Sequence, residues 1–134
     1  MKKSIITLLI MAFSVIQSIA QIDLHSQQYG ERIVHLAEIE VEPSMLEDYL
    51  AFAKEVGETS TKVEPGVLTL FSMQAKEDPC KIYILEIYAN QAAYQSHIQT
   101  AHFKKYKEGT AKMVKSLKLI DVNPLAGMER WLRN

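Results

Sequence analysis

Residues 88 to 106, YANQAAYQSHIQTAHFKKY, place His97 and His102 five positions apart among three tyrosines and a phenylalanine. Imidazoles take up and return protons near neutral pH, and they also ligate metals. A metal-binding pair on a helix sits at i, i+4, about 40° apart around the axis, whereas a spacing of five turns the second ring away by roughly 140°. On a straight helix His97 and His102 therefore do not share one ligand face. A zinc site would need His35, Glu86 or Cys80 from elsewhere in the fold. The spacing predicts no metal site and leaves proton transfer as the chemistry to consider.

His97 shares a helical side with Tyr94, Ile98 and Ala101, so it is expected to face a sheet. Glu86 and Tyr88 point to it if theirs is the helix-covered face. A histidine in an apolar cleft near a carboxylate and a phenol is a candidate general base. The same residues also fit a packed core histidine bonded to Glu86 or to a backbone carbonyl. His102 projects toward Lys105 and Tyr106. His35, on the face of Ala37 and Ile39, either lines the same cleft or packs within its strand. Glu86 stands in the middle of IYILEIY, where burial without a partner is costly. It requires a histidine or a group from another subunit. The lysines between Lys104 and Lys118 read as a solvated face, and the methionines as core filler.

The elements that must hold these residues follow from periodicity. RIVHLAEIEV alternates like a strand, and Pro43 ends it. In PSMLEDYLAFAKEVGETSTK the apolar residues recur at three and four, with Glu47 and Asp48 near the positive end of the resulting helix. Glu64-Pro65-Gly66 is a turn. VLTLFSMQA and KIYILEIYA form an antiparallel hairpin around KEDPCK. Asn90 caps a helix through QAAYQSHIQ, Thr100 caps a second piece from Ala101 to about Val114, and SLKLIDV is the last strand. The order β-α-β-β-α-β predicts an α+β fold with an antiparallel sheet and both helices on one face. On the third strand both faces are apolar, with Ile82 and Ile84 on one and Tyr83, Leu85 and Ile87 on the other. The uncovered face is expected to pack against a second copy, giving a homodimer. Met128, Trp131 and Leu132 in the tail have helical spacing and fit either a seam of that dimer or a short helix on their own subunit.

Ahead of this domain, Lys2 and Lys3 precede an apolar run from Ile5 to Ile16 and the small-residue ending Ser18-Ile19-Ala20. That is the pattern of a cleaved signal peptide over residues 1–20, too short for a lasting membrane anchor. Residues 21–31 read as a polar lead-in, 32–122 as the domain and 123–134 as a tail. The expected address is periplasmic or extracellular. Without Lys2 and Lys3 there remain 13 basic and 16 acidic residues, a formal balance of −3 that disfavours nucleic acid as a partner. Cys80 is a lone cysteine, so no internal disulfide is available. No Gly-rich dinucleotide fingerprint or P-loop is present.

Glu64 to Tyr106 resembles the antibiotic biosynthesis monooxygenase family, including its quinol monooxygenase-like proteins. The resemblance rests on Pro65-Gly66 before the second strand, Asp78-Pro79 in the hairpin loop, Glu86 followed two residues later by an aromatic, and His97 followed by His102-Phe103. With the first strand and helix it extends over about residues 32–122. It implies a ferredoxin-like, dimeric α+β barrel and, for members that are enzymes, oxygen insertion into small phenolic or quinol-like molecules without flavin, haem or metal cofactor. His97 would then be the base, with Glu86, Tyr88, His102, Phe103 and His35 shaping the substrate cleft. A haem-degrading branch of the superfamily carries an asparagine, a tryptophan and a histidine where this chain has Ala37, Tyr88 and Lys107, so haem degradation is disfavoured. Two other uses of the same cleft remain open from sequence: a non-catalytic small-ligand-binding protein, and an isomerase with His97 as proton shuttle.

Overall fold

The computed structural model describes residues 30–125. The signal-peptide segment, nearly all of the lead-in and the Met128, Trp131, Leu132 tail pattern lie outside the described residues. Residues Arg32–Pro124 form one compact unit. It consists of β1 (Ile33–Val41), a 3-10 turn (Pro43–Met45), α1 (Leu46–Val63), β2 (Val67–Gln74), β3 (Lys81–Tyr88), α2 (Gln91–His97), α3 (Ala101–Thr110) and β4 (Val114–Asp121). The sheet order is β2-β3-β1-β4, with every neighbouring pair antiparallel. This is the ferredoxin-like α+β fold expected from the pattern. Among the described residues no helix is long and apolar enough to cross a membrane.

The register explains which residues meet. His35 lies opposite Glu86 on β3 and Asp121 on β4, Ala37 opposite Ile84, and Ile39 opposite Ile82. These side chains share the helix-covered face, where Ala37, Ile39, Val41, Ile82 and Ile84 pack on Tyr49 and Ala53 of α1 to make the core. The buried residues of α1 are Tyr49, Ala53, Val56 and Ser60, a stripe at spacings of three and four that holds the helix along the sheet. The Tyr49 hydroxyl, deep in this layer, meets that of Tyr106 on α3 at 2.8 Å. The phenol thus gains a partner where an unpaired one would oppose burial.

The second helical region is in two pieces, as the caps predict, with Thr100 capping α3 from Ala101. Two details differ from the periodicity reading. α2 ends at His97, two residues short of Gln99. α3 also stops at Thr110 rather than near Val114, and β4 begins at Val114, earlier than the apolar alternation of SLKLIDV shows. The reason is pairing, since Val114 bonds into the sheet opposite Val41 across a register shift. At the other end of α2, Asn90 Oδ1 accepts from the Ala93 amide at 2.9 Å, and the turn at Gly66 packs against that helix start. A Cβ on Gly66 would lie 2.5 Å from that of Ala93, so only glycine allows the turn to sit so close.

Candidate active site

A cavity of about 370 Å³ lies between the helices and the sheet. Its floor is Ala37, Ile39 and Ile84, and its walls carry Glu86, Tyr88, Tyr94, His97 and Phe103. Leu117 and Leu119 of β4 also line it yet remain 49% and 46% exposed, so the cavity opens toward that edge. Such a space, mostly apolar with a few converging polar groups, suits a small aromatic molecule.

His97 is 1% exposed, and its partner is neither Glu86 nor a backbone carbonyl, the two partners foreseen for a packed histidine. Its Nδ1 lies 3.0 Å from Glu64 Oε1, and His102 Nε2 lies 2.5 Å from the same oxygen. The rings converge because the helix is not straight. Thr100 donates its hydroxyl to the His97 carbonyl at 2.7 Å and accepts from the Phe103 amide at 3.2 Å, which ends one helix and starts the next at a new angle. The expectation that the two histidines face different ways fails for this reason, and with it the geometric ground for predicting no metal site.

Burial alone would raise the Glu64 carboxyl, but hydrogen bonds to His102 and His97 outweigh it and hold the group below its ordinary 4.5. The buried Ser60 hydroxyl, one turn earlier, leans the same way without a hydrogen bond of ordinary geometry. An ionised carboxylate only accepts, so His97 donates Nδ1–H to Glu64 and its remaining lone pair is on Nε2. In this tautomer His97 is a proton acceptor at the cavity wall.

The second polar cluster stands on the sheet. Tyr88 donates to Glu86 Oε2 at 2.9 Å, and His35 Nδ1 approaches the same oxygen at 3.6 Å, too long for a hydrogen bond. His35 Nε2 meets Asp121 Oδ1 at 2.9 Å, while its buried Nδ1 has no hydrogen-bond partner. Burial, then the Glu86 charge, keeps the Tyr88 and Tyr94 phenols protonated far above neutrality. They act as hydrogen-bond donors, not bases.

Of the residues singled out in the sequence, Glu86, Tyr88, His97 and Phe103 come together on the cavity. The ring centroids of Tyr88 and Phe103 lie 5.3 and 4.9 Å from that of His97. His102 is turned toward Glu64 and does not line the cavity. Nor does His35, over which Tyr94 packs edge-on at 4.9 Å. Glu64 was read only as part of a turn. It had a signal in the α1 stripe itself: 49, 53, 56 and 60 continue at 64, and an acidic residue at the negative end of a helix calls for a cationic or donor partner.

A family model described as antibiotic biosynthesis monooxygenase matches residues 32–109. The chain belongs to the antibiotic biosynthesis monooxygenase family. A crystal structure of a candidate antibiotic biosynthesis monooxygenase from Bacteriodes thetaiotaomicron is 52% identical, with a TM-score of 0.72 over 73% of this chain and 93% of that one. A candidate monooxygenase from Lactobacillus acidophilus is 34% identical, with a TM-score of 0.65 over 66% of this chain but only 42% of that longer one. A Nitrosomonas europaea structure, 22% identical with a TM-score of 0.67 over 72% of this chain and 92% of that one, shares the fold. No curated protein matches the chain.

Proposed function

We propose that this family member is a cofactor-independent monooxygenase that oxidises a small aromatic or quinol-type molecule with molecular oxygen. The observation that carries the reading is His97: a buried imidazole on an aromatic-lined cavity, its Nδ1 fixed by an ionised carboxylate and its Nε2 left to accept a proton. His97 takes the phenolic proton of a bound quinol. The resulting anion supplies electrons to oxygen, a ring carbon forms the new C–O bond, and water leaves. One quinol and one O2 give one hydroxylated quinone and one H2O, with all four electrons drawn from the substrate. Tyr94 can donate to a substrate oxygen and Tyr88, its proton held by Glu86, can accept from a substrate hydroxyl, while the apolar floor admits both the ring and the gas.

We read the working form as an exported homodimer. Phe71 and Met73, 54% and 37% exposed on the face away from the helices, support a second copy there. Light scattering at micromolar concentration tests it, and a strict monomer would refute it.

The reaction is tested by oxygen uptake of the metal-stripped protein with a panel of hydroquinones, beside His97→Ala. Saturable uptake with an oxygenated product, lost in the variant, is the expected result. Turnover under nitrogen would point to an isomerase instead. Ligand binding with no turnover in either gas would leave a binding protein.

A further inference from the structure

We propose that Glu64, His97 and His102 form a binding site for a first-row transition-metal dication of the zinc type. One ligand atom from each of the three residues lies within 4.8 Å of the other two, and the nitrogens that meet Glu64 Oε1 are His97 Nδ1 and His102 Nε2. Three ligands on a tetrahedral zinc ion, each about 2.0–2.2 Å from it, stand a little over 3 Å apart. The carboxylate oxygen now sits 3.0 and 2.5 Å from the two nitrogens, bridged by protons that a metal would displace. Small side-chain rotations are enough to open this gap.

Each ligand is already fixed. Glu64 is the C-terminal cap of α1, His97 ends α2, and His102 is in the first turn of α3, the last two locked by the paired Thr100 bonds. The side chains are little exposed, 13% for Glu64, 2% for His97 and 18% for His102, so the ligand set is organised before any ion arrives. The fully buried Ser60 hydroxyl stands beside Glu64 and helps to lower its carboxyl, without a hydrogen bond of ordinary geometry. A reoriented carboxylate or a metal-bound water would tighten that contact, which is the role outer partners play in metal sites. Two imidazoles and one carboxylate suit zinc, cobalt or ferrous ions and not the oxygen-seeking magnesium or calcium. Three protein ligands leave a coordination position for water.

The site stands on this geometry alone. A consequence, which rests on the proposed reaction, is that metal and base exclude one another. A metal on Nδ1 takes that lone pair and leaves the ring proton on Nε2, so the loaded protein has a donor where the metal-free protein has an acceptor. Zinc would therefore inhibit turnover, and a chelator would restore it.

The test is calorimetric titration of the stripped full-length chain with zinc chloride, with magnesium chloride as the comparison. Imidazole ¹⁵N spectra are recorded before and after. The expected result is one zinc per chain, with the His97 Nδ1 and His102 Nε2 resonances moved and those of His35 unmoved. Glu64→Gln and His102→Ala should each weaken binding roughly a hundredfold or more, and Ser60→Ala, which keeps every ligand and fills no new space, about tenfold. Cobalt should give the visible bands of a low-coordinate site in wild type only. Zinc binding no tighter than magnesium, or shifts confined to other histidines, would overturn the site in the wild-type protein without reliance on any variant. Zinc binding without inhibition of an active enzyme would leave the site standing and overturn His97 as base.

Discussion

Among the described residues two histidines are buried, His97 and His35, and they are secured differently. His97 is bonded to Glu64, a carboxylate whose side chain is only 13% exposed. His35 is bonded to Asp121, whose side chain is 93% exposed. A buried carboxylate keeps its charge only when hydrogen bonds replace water, and two imidazoles do that for Glu64. Asp121 already has water, and its bond to His35 adds little to either. The difference teaches where a proton can be handled: a shielded carboxylate fixes a tautomer, whereas a solvated one is readily exchanged for solvent.

That contrast predicts unequal effects of matched substitutions. His97→Ala should lower oxygen uptake by about 10²–10⁴, the range for loss of a positioned base, while His35→Ala should change it by less than about tenfold. Equal losses would erase the distinction. Glu64→Gln should cost about 1–3 kcal/mol in denaturant melts at pH 7, because it replaces an ionic acceptor shared by two rings. Asp121→Asn should remain within about 0.5 kcal/mol of wild type.

Acid sharpens the same test. The Glu64 carboxyl is held below 4.5 in the folded protein, so its contribution is present above 4.5 and fades as pH falls through the folded value. The stability gap between wild type and Glu64→Gln should thus close below pH 4.5 in urea titrations, and a gap that widened there would contradict the sign. A milder change on the His97 side, Thr100→Ala, should cost about 1 kcal/mol as a lost cap and shift the His102 ring resonances while sparing those of His35.

The strands, the hairpin and the helix caps were legible in the sequence because each is set by local pattern. Alternation places Ile82, Ile84, Glu86 and Tyr88 on one face, and Asn90 and Thr100 cap where their side chains can accept an amide. The site was only half legible. His97, Tyr88 and Glu86 could be gathered by counting faces, but Glu64 is 33 residues from His97 and 38 from His102, and no local period reports such a meeting. The straight-helix assumption then hid it. Thr100 was visible as a cap, yet the angle between two capped helices depends on packing against α1 and the sheet. Cavity volume is likewise a product of packing.

The linker Ile98-Gln99-Thr100 carries a lesson about chain length. One residue inserted there would move the Thr100 cap away from the His97 carbonyl and reset the start of α3, which takes His102 off Glu64 while leaving every side chain of the site in the sequence. The loop from Ala75 to Cys80, at the far end of the hairpin, governs no such alignment. Insertions and deletions in related chains that keep the site should therefore collect in that loop and avoid residues 98–100.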